Sequence, residues 1–466
     1  MKKKKIIYKL ITLLLITLSI PISIYLLDRR THFINRAYFS LTGNEANLVI
    51  NLTDSRPFVP HWGYFAQGGE ERDGMLSDVI KPVSIIEPVY IRIDHVYDFY
   101  DVVKRGSGGK LEFNWSQLDK ELNVILQTGA KPFVSLSYMP SAISSGSEVD
   151  TPYSWDEWKQ VVQRTIEHVS GKNELAITDV YYEVWNEPDL FGGYKLKGSK
   201  NYLTMYLYAE RASRDARNTY TFKFGGPATT GLYKSWFDNL LIFAAKNNLR
   251  VDFFSWHLYS KNIADFEKDI FNAKVWLLNH PKYASTEFII SESGFNSEND
   301  SLYDSDFSAI HTLSMYAATF QKIGKILVFE LKDGPGPEKF WGRWGILTHE
   351  NFGNPTPKPR YKALEFLNLM RGNWYPVYGQ GSWVKAFATT DGSSIKLLVV
   401  NYDPYSKHVE NVPITFVNMP VTSFTFRRTD FLGKTTNMQN TTSDKNWKTM
   451  LFMQPNTASI LEIIPQ

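Results

Sequence analysis

The sequence predicts an α/β chain: a (β/α)8 TIM barrel with a C-terminal β-sandwich domain and an N-terminal transmembrane anchor. Three observations carry this expectation. Eight short apolar runs alternate with amphipathic segments through the middle of the chain, short strand-like runs follow without a long helix, and a basic start precedes an apolar stretch. At 466 residues the chain is too long for one ordinary domain. The segments expected are residues 1–30 (signal anchor), 31–56 (linker, with the strand-like 46–50 a candidate to join the β domain), 57–372 (catalytic barrel) and 373–466 (β-sandwich).

The anchor comes first. Lys2 to Lys5 and Lys9 precede an apolar run from Leu10 to Leu27, closed by Asp28, Arg29 and Arg30. At about 1.5 Å rise per residue, roughly 18 residues span most of a hydrocarbon core about 30 Å thick. No small-x-small cleavage site follows, and there is no Cys for lipid attachment, so an uncleaved anchor is favoured over a cleaved signal peptide. The lysines hold the N-terminus in the cytoplasm, which places the body outside, at the cell surface or in the periplasm.

The barrel strands are expected at 58–65, 89–94, 132–138, 180–185, 222–226, 251–256, 287–291 and 326–331. Helical patterns fall between them. Leu118, Leu122, Ile125 and Leu126 share one face of 116–128, and Ser154 with Glu157 forms a capping-box pattern ahead of a helix that Gly171 is placed to end. Eight alternations argue for closure of a parallel sheet, and no Gly-rich phosphate loop follows the first strand, which disfavours an open doubly wound sheet. From about Trp374, runs at 384–389, 395–401, 412–416, 423–429 and 458–464 read as short strands, with Asp391-Gly392 a hairpin turn between the first two.

Composition narrows the function classes. Aromatic residues make up 15%, including 13 Trp and 26 Tyr, which fits a sugar-binding cleft as well as it fits a large aromatic core. The net charge of +3 is small and no basic stripe is present, so nucleic-acid binding has no support. Without Cys there is no disulfide, thiolate nucleophile or Cys-based zinc site. The nine His show no metal-binding spacing on a helix, and no nucleotide loop appears, so no metal and no cofactor is expected.

Barrel active sites form at the C-terminal ends of the strands. Glu187 follows the fourth strand in Glu183-Val184-Trp185-Asn186-Glu187-Pro188-Asp189, and Glu292 follows the seventh in Ile290-Ser291-Glu292-Ser293-Gly294. These strands face each other across the barrel mouth, so the two carboxyl groups can converge on one substrate. Glycoside cleavage needs such a pair, with one group protonating the leaving oxygen and the other stabilising the oxocarbenium-like centre. A separation near 5 Å gives retention; about 6.5–9.5 Å gives inversion. A lone Glu after a strand is usually just solvated. Asn-Glu-Pro after an apolar strand is more specific, because the Pro turns the chain and fixes the carboxylate.

The chain resembles clan A glycoside hydrolases, and within them glycoside hydrolase family 39, whose β-xylosidases and α-L-iduronidases share the Glu-x-Trp-Asn-Glu-Pro-Asp pattern standing at Glu183–Asp189. The resemblance covers roughly Phe58 to the end. Val180 and Tyr182 replace the Trp and Phe usual at those places. The resemblance implies Glu187 as acid/base, Glu292 as nucleophile and Asn186 as a contact to the sugar 2-hydroxyl. It also matches His257 and Tyr259 to a His-x-Tyr pair after the sixth strand, with the Tyr on the nucleophile.

Arg92, near the end of the second strand, is a candidate to pair with the nucleophile and keep it ionised, or else a structural ion pair. His61 and Trp62 on the first strand and Trp341 or Trp344 beyond the eighth are candidate sugar contacts, against the alternative of core packing. Glu330 and Asp333 are placed to reach the cleft, and Lys332 is a weak candidate partner for a sugar carboxylate. The leading reading is a membrane-anchored retaining glycosidase acting on an extracytoplasmic polysaccharide. The alternatives are an exo-acting β-xylosidase or α-L-iduronidase-like enzyme, and a non-catalytic carbohydrate-binding protein of exopolysaccharide assembly. Sugar, linkage, endo or exo action and oligomeric state are left open.

Overall fold

The computed structural model describes residues 43–68, 71–72 and 74–466. Among these no helix is long and apolar enough to cross a membrane; the expected anchor at 1–30 lies outside the described residues. Eight parallel strands close into a barrel in chain order: Tyr64–Gln67, Tyr90–Ile93, Lys131–Leu136, Val180–Val184, Phe222–Thr229, Phe253–Tyr259, Glu287–Gly294 and Lys325–Phe329. Strand eight pairs back onto strand one, Val328 opposite Phe65.

The helices bury the faces their spacing marks. Ser116–Gln127 buries Leu118, Leu122 and Ile125, but Leu126, expected on the same face, is exposed because it turns to the flank of that stripe; Trp155–Ser170 buries Trp158, Val161, Val162, Thr165, Ile166 and Val169. The capping box at the start of the second of these does not form. Ser154 occupies the N-cap position with extended backbone but makes no side-chain cap bond, and Arg105 engages both oxygens of Glu157 at 2.8 and 3.0 Å, which keeps that carboxylate from the cap. Gly171 ends the helix by close approach: a Cβ there would stand 1.9 Å from the Glu167 carbonyl oxygen.

The first barrel strand departs from expectation. It begins at Tyr64, and the apolar stretch Phe58–Trp62 instead plugs the underside of the barrel. Trp62 packs on Phe387 of the β domain and its indole donates to Asn368 at 2.8 Å. His61 is a correction to the sequence reading: it sits three residues before the strand, at the N-terminal end of the barrel, wedged against Tyr316 and Phe320. Burial pushes its imidazole down to about 4. A neutral ring in an aromatic cage does not meet a sugar.

The C-terminal region is a seven-stranded sheet facing a four-stranded one. The chain before the barrel contributes to both: Leu48–Asn51 runs parallel to Glu410–Val417, and Arg56–Pro57 pairs with Asn373–Tyr375. Ala46, Leu48 and Ile50 share the sandwich core with Val384, Val412, Ile414 and Phe424. The helix Asp306–Thr319 is buried almost all round, as a helix between two layers must be. Phe387, Leu398, Val400 and Ile460 of the sandwich join the core of the barrel, so the two parts pack as one body.

The loop after strand eight is tied down by buried charge. Lys358 Nζ lies 3.0 Å from both carboxylate oxygens of Asp333 and 2.7 Å from Asp304, and it donates to the Arg343 carbonyl at 2.7 Å. Burial pushes the Asp333 carboxyl up to about 6, against the pull of Lys358. Lys358→Ala would leave Asp333 buried beside no cation. It is expected to cost roughly 3–5 kcal/mol, seen as a lower urea midpoint with an unchanged slope.

Candidate active site

Seven side chains, from strands two, four, six and seven and the turn after strand four, meet at the mouth of the barrel. Arg92 lies at the centre, fully buried. Its Nε donates to Glu183 at 2.7 Å, Nη1 to Glu292 Oε1 at 2.8 Å and Nη2 to Asn186 Oδ1 at 2.8 Å. The guanidinium fork matches three acceptors at fixed angles, which a lysine ammonium would not do. Burial alone would lower its pKa, but Glu183 and then Glu292 outweigh that and raise it.

Glu292 is held from the other side as well. Tyr259 donates to Oε2 at 2.9 Å, and His257 Nδ1 stands 3.4 Å from the same oxygen. Burial raises the Glu292 carboxyl above the usual range, opposed by His257 and Arg92 and reinforced by Glu187. His257 Nδ1 also reaches Glu187 Oε1 at 2.8 Å. Burial disfavours the imidazolium, but the charge of Glu292 and the bond to Glu187 outweigh it and raise the His257 pKa. One oxygen of each carboxylate and a His257 nitrogen all lie within 4.8 Å of one another.

The backbone at Glu187 is strained. Trp185 has φ 74° and Glu187 φ 44°, both in the left-handed region. A residue before proline avoids helical conformations, so this turn costs on the order of 1–3 kcal/mol. Three bonds hold it: Glu187 N–H donates to the Ala228 carbonyl at 3.0 Å, and the Glu187 carbonyl accepts from Leu190 and Phe191. Asn186 spends one amide hydrogen on Tyr138 Oη at 2.9 Å, and its second bonds no described residue.

Other sequence candidates fall elsewhere. Trp341 packs against Gly336 and under the Arg343 guanidinium, in the loop after strand eight. The indole that reaches the strand's end is Trp344, 5.2 Å from the Phe329 ring, which in turn meets Tyr259. Glu330 is buried, with Oε2 accepting from Gln67 Nε2 and the Gly68 N–H; burial and Asp333 raise its pKa well above the ordinary value. Lys332 is 1% exposed and its Nζ is taken by Glu350 and Glu71, so it does not face a sugar carboxylate. Glu183 and Tyr138 are site residues the sequence reading passed over. Glu183 stands inside the quoted motif, and Tyr138 at the end of the predicted third strand, so position alone marked both.

Among the described residues, two His–carboxylate groups approach closely enough to hold a cation: Glu187/His257/Glu292, and Glu71/His349/Glu350. In the second, Lys332 already bridges both carboxylates. The Asn351 N–H on His349 Nδ1 leaves the proton on Nε2, so the ring presents a donor and not a lone pair. That cluster is a latch between the loops after strands one and eight.

Residues 53–280 match the family model of glycosyl hydrolases family 39. The chain is 28% identical over 306 residues to a beta-xylosidase of Caldicellulosiruptor saccharolyticus, covering 59% of this chain and 60% of that one. It is 23% identical over 291 residues to a beta-xylosidase of Geobacillus stearothermophilus, covering 55% and 56% respectively. The chain thus spans less than two thirds of the length of these curated relatives. Among solved structures, a monomeric beta-xylosidase of Caulobacter crescentus CB15 superposes with a TM-score of 0.72 at 18% identity, covering 90% of this chain and 99% of that one. A family 39 enzyme of Xanthomonas axonopodis pv. citri gives 0.71 at 19% identity, covering 91% and 98%. These two likenesses show the fold.

Proposed function

Since the chain is related to the glycosyl hydrolases of family 39, we propose that it is a retaining glycosidase that cleaves O-glycosidic bonds by double displacement. The observation that carries this is the approach of Glu187 and Glu292 within 4.8 Å across the barrel mouth. That spacing suits a nucleophile and an acid/base, and leaves no room for the water an inverting enzyme holds between its carboxylates.

Donors decide the roles. Glu292 receives Arg92 and Tyr259, both of which stabilise a carboxylate, whereas among the described residues the Glu187 carboxyl meets only His257. Glu187 therefore carries the proton to the glycosidic oxygen as Glu292 attacks the anomeric carbon. The alcohol leaves and a glycosyl ester forms on Glu292. Glu187, now ionised, takes a proton from water as that water attacks the anomeric carbon. The ester bond breaks, Glu292 is released as carboxylate, and the sugar departs with its original configuration. The second amide hydrogen of Asn186 is placed to hold the 2-hydroxyl through both steps.

The substrate proposed is an extracytoplasmic polysaccharide, with the chain anchored through residues 1–30; the support is the Lys2–Lys5 start and the apolar run Leu10–Leu27. A second reading, an exo-acting beta-xylosidase, is favoured by the names of the two curated relatives. The test is to follow an aryl glycoside panel that includes the β-xyloside by NMR and read the anomer released first. The retained anomer is expected. The inverted one would overturn double displacement, and the glycone that turns over separates the two substrates.

A further inference from the structure

A pocket of about 760 Å³ begins, along the chain, two residues beyond Glu187; it is lined by Asp189, Tyr194, Leu196, Trp236 and two lysines, Lys195 and Lys197. We propose that this pocket is a leaving-group subsite for a sugar that bears a carboxylate, so that the polymer cleaved is an acidic one. The inference rests on the glycosidase reading for its direction: the leaving group departs on the side of the acid/base, and Asp189 is tied to that side by the chain itself. Its Cα lies at most about 7.6 Å from that of Glu187, two peptide units away.

The pocket is built, and its shape is held without a ligand. Asp189 accepts from the Thr230 N–H at 3.1 Å and from its hydroxyl at 2.5 Å, so its charge is spent on strand five's end. Tyr194 is fully buried, its N–H on the Pro188 carbonyl at 2.7 Å and its hydroxyl on the Asp150 carbonyl at 3.1 Å. The loop carrying the lysines is closed by Lys195 N–H on the Lys200 carbonyl at 2.8 Å, and Lys200 is itself occupied by Asp150 and the Gly192 carbonyl. Trp236 is 8% exposed, braced by Tyr202 at 5.3 Å, and offers an apolar edge of the kind a sugar ring covers.

Charge then separates the ligand classes. Lys195 and Lys197 are both exposed, and neither makes an ion pair among the described residues. Two ammonium groups over a largely apolar floor, with the one carboxylate of the lining already bonded, attract an anion attached to a ring. A neutral sugar would use the floor and leave both lysines idle. The volume lies inside the usual range of about 300–1,000 Å³ for small-molecule sites.

The probes are xylotetraose with and without a glucuronic acid branch, titrated against the full chain in detergent by tryptophan fluorescence. The branched probe is expected to bind at least about tenfold more tightly at low salt. The preference should shrink to within about threefold at 0.5 M salt and in Lys195→Gln/Lys197→Gln, whose melting temperature should match the parent's. Equal binding of the two probes by the parent protein overturns the proposal, as does a preference that survives in the double variant. Turnover of aryl glycosides by the parent is read separately. Preference without turnover would sink the glycosidase reading and leave an acidic-sugar site; turnover without preference would sink the acidic subsite alone.

Discussion

Glu292→Gln is expected to lower kcat/KM by at least about 10⁴-fold, because under the proposed double displacement it removes the atom that would form the covalent intermediate while leaving its surroundings intact. Gln has the same shape, and Arg92 keeps Glu183 and Asn186 as partners. The variant should fold. Burial raises the Glu292 pKa, so its carboxylate is less favoured in the folded chain than in the unfolded one. With a folded value above the unfolded one, whatever stability this group contributes is present at low pH and is lost as pH rises through the folded value. Neutralising it by mutation therefore removes no stabilising charge at neutral pH, and the melting temperature is expected to hold or rise. The same raised value governs rate with the opposite sense. The nucleophile works only as carboxylate, so kcat/KM should fall as pH drops through a value above the ordinary carboxylate range. A 2-fluoro glycoside should trap the sugar as an ester on the peptide containing Glu292, seen by mass mapping, and leave the variant unlabelled. Label on another carboxylate would remove Glu292 from the role.

Much of the barrel is legible because each strand carries its own signal. Runs such as Val180–Val184 and Lys325–Phe329 are mostly apolar and buried on both faces, as the strands of a covered parallel sheet are. The first strand is not, since Phe58–Trp62 looks like a strand but packs under the barrel against the β domain; periodicity cannot say which of two adjacent apolar segments enters the sheet. In the sandwich, Thr435–Thr441 and Asn446–Met453 go unread. The first is almost wholly exposed, and in the second the buried positions come only at its end, so neither shows the full alternation that marks a half-buried strand.

The site divides in the same way. Glu187 and Glu292 stand out by their place at strand ends, and Arg92 by its place near one. What no local pattern contains is the wiring. Arg92 meets Glu183, Asn186 and Glu292 across sequence separations of 91, 94 and 200 residues. The pocket beside Asp189 is equally hidden, because Trp236 comes from a helix and Lys195 from a loop, and only closure of the barrel sets them side by side.

Glu187 offers the second large effect, and its signature differs from that of Glu292. Glu187→Gln is expected to lower kcat by about 10²–10⁴-fold on glycosides with poor leaving groups, where the departing oxygen must be protonated. On dinitrophenyl glycosides the first step needs no acid, so glycosyl ester should still form and then persist, because no base remains to activate water. The prediction is a burst of one equivalent of phenol, followed by slow turnover that azide accelerates by attacking the ester directly. A uniform loss over all leaving groups in Glu187→Gln, with no burst and no azide effect, would mean that Glu187 positions the substrate and that the acid lies elsewhere.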